Sequence, residues 1–292
     1  MDCFEEFLAN NRDKHMCVIT PGGNHGDTLI HMGLMKKLRE FNIKHTCLNL
    51  EKLYNENPLL GAKYLVNIEL SRLGSDLGFK LLKLPPETEL ILFEGGGYMS
   101  DIWYGPTLLR QVMKRNPAPV AVGPQSYLFN RTRFHQYLED GRPVDLFCRE
   151  EYSLEHLRKK GLPENVSIHL SPELALYLTQ EDLADFIEEK TDDYTLIAFR
   201  KDKESAISQA MKDEIIQTAT NPMIADVSME KTLKDFISTI YNAETVYTDR
   251  LHVAILSKIL GKKVTLYGNK YHKNRGVWEY SLRDSVEYVE IL

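Results

Sequence analysis

From residue 15 onward, short unbroken apolar runs alternate with longer segments whose apolar positions recur every three or four residues. Residues 15–20, 44–50, 89–93, 119–122, 144–148 and 166–170 read as strands. Residues 27–41, 105–115, 132–140 and 153–160 read as the helices between them. Strands buried on both faces appear as continuous apolar runs, and intervening helices imply parallel crossovers. Across 179–193 the chain turns polar and acidic, a helical or linking stretch, and the alternation then restarts. Strands are predicted at 194–199, 223–226, 244–248 and 263–267, with helices at 205–219, 232–241 and 251–260. The expected class is α/β, with two Rossmann-like parallel-sheet domains facing a cleft. The boundaries fall at 1–178 and 179–292, the last helix being able to pack back on the first domain. Ligands of open parallel sheets bind beyond the carboxyl ends of the strands, so the cleft is the expected site.

Composition narrows the function classes. A net charge of −6 argues against a general nucleic-acid partner, which would favour a basic surplus. No apolar run approaches the roughly 18 residues of a membrane span. The first residues are acidic and amphipathic, unlike a secretory signal. Cys3, Cys17, Cys47 and Cys148 form no Cys-x-x-Cys pair, and three of them lie in strand-like runs. Reduced core thiols and a cytoplasmic location are expected, with no metal-ligand spacing.

Four loops at predicted strand ends carry the candidate chemistry. Gly22-Gly23-Asn24-His25-Gly26-Asp27 follows the first strand. Its glycines allow close backbone approach to a ligand, while Asn24, His25 and Asp27 supply directed polar groups. A bare glycine turn capped by Asp27 is the plainer alternative. It matches neither the dinucleotide fingerprint nor a P-loop. Gly95-Gly96-Gly97 follows the 89–93 strand, with Asp101 shortly after as a candidate hydroxyl acceptor or base. Three glycines there imply something bulky against the backbone, either substrate or the preceding loop. Gln125 and Ser126 can hydrogen-bond sugar hydroxyls or hold the other loops. Arg149 reads as a tie between strand ends, and Ser153 lies near a helix start.

In the second half, Thr248-Asp249-Arg250-Leu251-His252 joins a strand to a helix. A helix N-terminus favours an anion, and a guanidinium fork with a titratable imidazole adds to that. A capping turn with a surface arginine is the alternative. Arg200 ends another strand of the same predicted sheet and supplies a second cation. The 268–274 segment, including Lys273, adds donors. Basic groups therefore gather in the second domain, while glycines, carboxylates and amides gather in the first. That asymmetry suggests an anionic donor on the second domain and a polyhydroxylated acceptor on the first.

The ordered set resembles the polysaccharide pyruvyl transferase family over roughly residues 17–280. The matching pieces are Gly22 to Asp27, Gly95-Gly96-Gly97 with Asp101, Pro124-Gln125-Ser126, Arg149-Glu150 with Ser153, Pro172-Glu173 with Ala175, Arg200, Arg250-Leu251-His252, and Asn269 with Tyr271 and Lys273. Departures are Glu173 and Gly268, where the family often carries aspartate, and His25, where phenylalanine is common. The resemblance implies a GT-B-like fold, with phosphoenolpyruvate as co-substrate, no other cofactor, and a glycan or lipid-linked sugar as acceptor. Such an acceptor would bring the protein to a membrane only peripherally. On this reading Arg200, Arg250, His252 and Lys273 hold the donor, and Asn24, His25, Gly96, Gly97 and Gln125 face the acceptor. His252 would be the general acid, with Asp101 or Asp27 deprotonating the hydroxyls. The competing readings are a GT-B-like glycosyltransferase using a nucleotide sugar and a non-catalytic glycan-binding module.

Overall fold

The computed structural model describes all residues except 73–81, 190–192, 203 and 292. The chain divides into two compact units, Met1–Gly23 with Leu34–Pro172, and Asn24–Gly33 with Glu173–Leu292. The division read from the sequence keeps 24–33 in the first domain and places the boundary at 178.

The first unit is built on a six-stranded parallel sheet. Its strands are β1 (Met16–Thr20), β2 (His45–Asn49), β3 (Leu90–Phe93), β4 (Val120–Gln125), β5 (Val144–Cys148) and β6 (Val166–Leu170), in the order β2-β1-β3-β4-β5-β6. β1, β3 and β4 are buried throughout, which explains their unbroken apolar runs. The helices are α1 (Cys3–Asn10), α2 (His25–Glu40), α3 (Leu50–Glu56), α4 (Pro58–Arg72), α5 (Gly105–Met113) and α6 (Glu151–Arg158). α2 contributes its start to the second unit. The amphipathic start of the chain folds as α1, with an Asp2–Glu5 capping box, and buries Phe4 and Leu8.

The second unit holds a five-stranded parallel sheet in the order β11-β10-β9-β7-β8. These strands are β7 (Tyr194–Ala198), β8 (Pro222–Ile224), β9 (Ala243–Thr248), β10 (Lys263–Tyr267) and β11 (Glu287–Val289). Its helices are α7 (Gln209–Thr218), α8 (Leu233–Tyr241), α9 (Leu251–Ile259) and the short α10 (Lys273–Val277). Val253, Ala254, Ile255 and Leu256 of α9 pack with Phe236 and Ile240 of α8, and with Leu29 of α2. The last turns stay within this core through Val277 and Leu282.

Several elements differ from the pattern-based expectation. The predicted helix at 132–140 is a single 3-10 turn, Phe134–Tyr137, preceded by a loop that Asp101 clamps through the N–H groups of Asn130, Arg131 and Thr132. The acidic stretch forms a 3-10 segment, Glu181–Phe186, and its residues 190–192 lie outside the described ones. The strand expected at 223–226 stops at Ile224, leaving Asp226 beyond the sheet. All four cysteines are free, but Cys47 is exposed rather than part of the core. Burial pushes the Cys17 thiol up to about 11, so it stays protonated and inert. Among the described residues no helix is long and apolar enough to cross a membrane.

Candidate functional site

β7 and β9 are neighbours in the second sheet, and Ala198 stands opposite Thr248 at their carboxyl ends. The Thr248 hydroxyl locks the two ends together: it donates to the Ala198 carbonyl at 2.7 Å and accepts the Arg250 N–H at 3.0 Å. Arg200 and Arg250 each follow two residues past that registered pair. The parallel register thus brings to one sheet edge two arginines that lie 50 positions apart in the chain.

Both guanidinium groups are half-submerged in carboxylates. Arg200, 7% exposed, donates through Nε and Nη2 to both Asp202 oxygens at 2.8 and 2.9 Å, and through Nη1 to Glu204 at 2.6 Å. Burial works against its charge, but these carboxylates outweigh that and raise its pKa. Glu204 also accepts from Lys273 Nζ at 2.5 Å. Burial would raise Glu204, yet Lys273 and Arg200 hold it below the ordinary carboxylate range. Arg250 Nη2 donates to Asp226 Oδ2 at 2.6 Å, and its Nε lies 2.6 Å from the other Asp226 oxygen. Its Nη2 is also 3.9 Å from Asp202 Oδ2, so Asp202 stands between the two arginines. Asp249 is fully buried, accepting the Arg200 N–H at 2.7 Å and the Ser205 hydroxyl at 2.9 Å. Burial pushes its carboxyl upward. The cations of the cluster are thus already paired with carboxylates of the same unit.

His252 occupies the first turn of α9. Its Nε2 lies 3.5 Å from Oε1 of Glu173, whose side chain is buried and whose Oε2 caps the next turn through the Ala175 N–H at 2.8 Å. Gly26, in the first turn of α2, lies against the opposite edge of the imidazole. A Cβ there would come within 2.4 Å of His252 Nδ1. The site of this unit therefore comprises Arg200, Asp202, Glu204, Asp226, Asp249, Arg250, His252, Glu173, Lys273 and the start of α2.

The other predicted residues are placed as follows. Asn24 is the N-cap of α2: its Oδ1 accepts the Gly26 N–H at 2.8 Å, while Asp27 reciprocates by accepting the Asn24 N–H at 2.9 Å. His25 is fixed to the Glu230 carbonyl at 2.8 Å and stacks on Phe236. In the first unit, Asp101 clamps a loop by accepting N–H groups of Asn130 and Arg131 at 2.6 Å and of Thr132 at 3.1 Å. Burial pushes its carboxyl up, but the Thr132 side chain and these backbone donors prevail and lower it. Gln125 is fully buried and donates to the Glu94 carbonyl at 2.8 Å. Gly96 has φ 135°, a conformation that favours glycine, and bridges to Gln125 while Gly97 follows it. Arg149 Nε donates to Ser126 at 2.9 Å, tying the ends of β5 and β4.

Pattern reading found the cations and missed the carboxylates. Asp202 and Glu204 lie two and four positions after Arg200, and Asp249 immediately precedes Arg250. An acidic residue that close to a strand-end arginine is the available signal. Asp226 had no such signal, because only the return of β8 brings it to Arg250.

Among solved structures, the chain is similar to an uncharacterised protein of Klebsiella pneumoniae. The identity is 21%, the coverage 98% of this chain and 96% of that one, and the TM-score 0.67. It is also similar to a UDP-N-acetylglucosamine 2-epimerase, with 11% identity, coverage of 95% and 83%, and a TM-score of 0.51. At these identities the likeness concerns the fold, which is GT-B-like. No curated protein sequence matches the chain. The family model for polysaccharide pyruvyl transferases matches residues 24–271, from the cap of α2 through the loop after β10. The chain therefore belongs to the polysaccharide pyruvyl transferase family.

Proposed function

We propose that the protein transfers the pyruvate unit of phosphoenolpyruvate onto two hydroxyls of a glycan or glycan precursor, forming a ketal. The observation that carries this reading is the pairing of Arg200 and Arg250 at adjoining strand ends, with His252 in the first turn of the helix that Arg250 caps. Phosphoenolpyruvate presents a carboxylate and a phosphate, and guanidinium forks suit both. Asp202 already shows how a carboxylate sits between them.

The chemistry follows from the electron flow. His252 gives a proton to the methylene carbon, whose new C–H bond uses the C=C pair and leaves C2 electrophilic. A first sugar hydroxyl adds to C2, and its proton returns to the imidazole. A second hydroxyl then displaces phosphate, which carries away the last proton. Arg200, Arg250 and Lys273 bind the donor and stabilise the departing phosphate. Asp27 and Asp101 serve backbone donors, so His252 itself is assigned the proton return. Asn24 and His25 shape the start of α2, whereas Gly96, Gly97 and Gln125 shape a loop of the first unit that we assign to the acceptor.

The test is incubation of the protein with phosphoenolpyruvate and a panel of glycosides. The expected result is phosphate release with a product heavier by pyruvic acid less one water. Turnover only with a nucleotide sugar would overturn the reading.

A further inference from the structure

We propose that Glu173 is a positioning residue that holds His252 by Nε2, so that Nδ1 is the nitrogen that passes the proton. This rests on the reading of His252 as the acid for phosphoenolpyruvate. Glu173 acts through the imidazole.

The geometry distinguishes the two ring nitrogens. Nε2 is buried and makes no hydrogen bond among the described residues, and Glu173 Oε1 faces it at 3.5 Å. That distance is at the outer edge of hydrogen-bond reach. The carboxylate is well anchored for this purpose, because its Oε2 is committed to the Ala175 N–H. A carboxylate accepts only, so the nitrogen it faces must carry hydrogen. The neutral imidazole is thereby fixed as the Nε2–H tautomer, and the charged one keeps its second, transferable proton on Nδ1.

The Nδ1 edge is the one that Gly26 leaves without a side chain. The ring also retains some exposure, 17% of its side chain, although Nε2 itself is buried. In the transfer step the Nδ1–H bond breaks as the methylene C–H bond forms. The imidazole is left neutral with its proton on Nε2, ready to take the hydroxyl proton back at Nδ1.

Glu173→Gln tests this with little change of shape. The amide oxygen can keep the Ala175 N–H, which turns the NH2 group toward His252 Nε2 and makes that nitrogen an acceptor. Long-range proton–nitrogen NMR of histidine-labelled protein reads the tautomer directly. The expected result is Nε2–H in the parent protein and Nδ1–H in the variant. With phosphoenolpyruvate and an accepted glycoside, kcat should fall by about 10²- to 10⁴-fold, since a neutral imidazole is a far weaker acid. The donor KM should hold. A parent protein protonated at Nδ1 when neutral would overturn the proposal even if the variant does not fold. So would a variant with the parent's tautomer or the parent's kcat. If the parent makes no product from phosphoenolpyruvate, the assigned reaction fails, whereas the spectra still decide whether Glu173 sets the tautomer.

Discussion

The backbone N–H of Arg200 donates to Asp249 Oδ1 at 2.7 Å, so the arginine ending one strand is fixed by the residue that precedes the arginine ending its neighbour. Position is thus shared between the two cations through a buried carboxylate, while their side chains remain available to different partners. Arg250 uses its fork on Asp226, side by side with one carboxylate. A lysine at that position presents a single point charge and cannot span two oxygens. We expect Arg250→Lys to raise the donor KM by an amount equivalent to about 2 kcal/mol, with the fold intact. Calorimetric titration with phosphoenolpyruvate beside a thermal melt separates the two effects; donor binding equal to the parent's would remove Arg250 from the donor site.

Asp202 is the carboxylate best placed to yield to a ligand. It is 46% exposed at the side chain, whereas Glu204 and Asp226 are 4% and 15% exposed. Its bonds to Arg200 hold its pKa down, although burial opposes this, so it is an anion at neutral pH. An incoming carboxylate or phosphate must compete with that charge. Asp202→Asn should therefore tighten binding of inorganic phosphate by roughly two- to fivefold, the scale of a half-exposed ion pair. Weaker binding would mean that Asp202 serves to aim Arg200 at the ligand.

Asp101 offers a pH-dependent test of a structural role. Its folded pKa lies below its unfolded value, with burial opposed by the Thr132 side chain and three backbone N–H donors. The sign is that of a depressed carboxylate: the contribution is fully present above the unfolded pKa near 4 and disappears as pH falls through the folded value. Asp101→Asn should cost about 1–2 kcal/mol in urea unfolding at pH 7. The gap should narrow as the pH is lowered below about 4. A gap that is constant with pH would show that the carboxylate charge contributes nothing to the loop.

The fates of Asp101 and Arg250 show what pattern reading reaches. Both were singled out by residue type at a strand end. Arg250 lies in the cluster where the alternation predicted it, because parallel strands deliver their carboxyl ends to one edge. Asp101 instead serves its own unit, because a carboxylate beside a run of unpaired N–H groups forms a loop clamp, and which backbone comes near it is a tertiary matter. The apolar runs were legible for the same reason that the sheets exist: β1, β3 and β4 are buried throughout and cannot carry polar residues on alternate positions. β11 and α10 escaped because they are only three and five residues long, too short to show a period. Glu173 was visible only as a motif member, since its relation to His252 spans 79 positions of chain.

Gly26 separates stability from chemistry. It lies in the first turn of α2, where alanine has the higher helix propensity by about 1 kcal/mol at most. The local cap does not depend on a side chain there, because Asn24 Oδ1 accepts the backbone N–H of Gly26. A methyl group at 26, however, would stand 2.4 Å from His252 Nδ1 and 2.9 Å from Asn24 Oδ1. Carbon and nitrogen cannot share that space, and the imidazole is the more movable of the two, because it can turn about its side-chain bonds whereas the Gly26 backbone is held in the capped first turn of α2. Gly26→Ala should therefore leave the unfolding free energy, read from urea denaturation, within about 1 kcal/mol of the parent in either direction. At the same time it should lower kcat by at least about tenfold, by turning the ring away from Glu173 and covering Nδ1. Paired denaturation and steady-state kinetics on one preparation make the comparison. A variant as active as the parent would place the proton transfer elsewhere than at Nδ1.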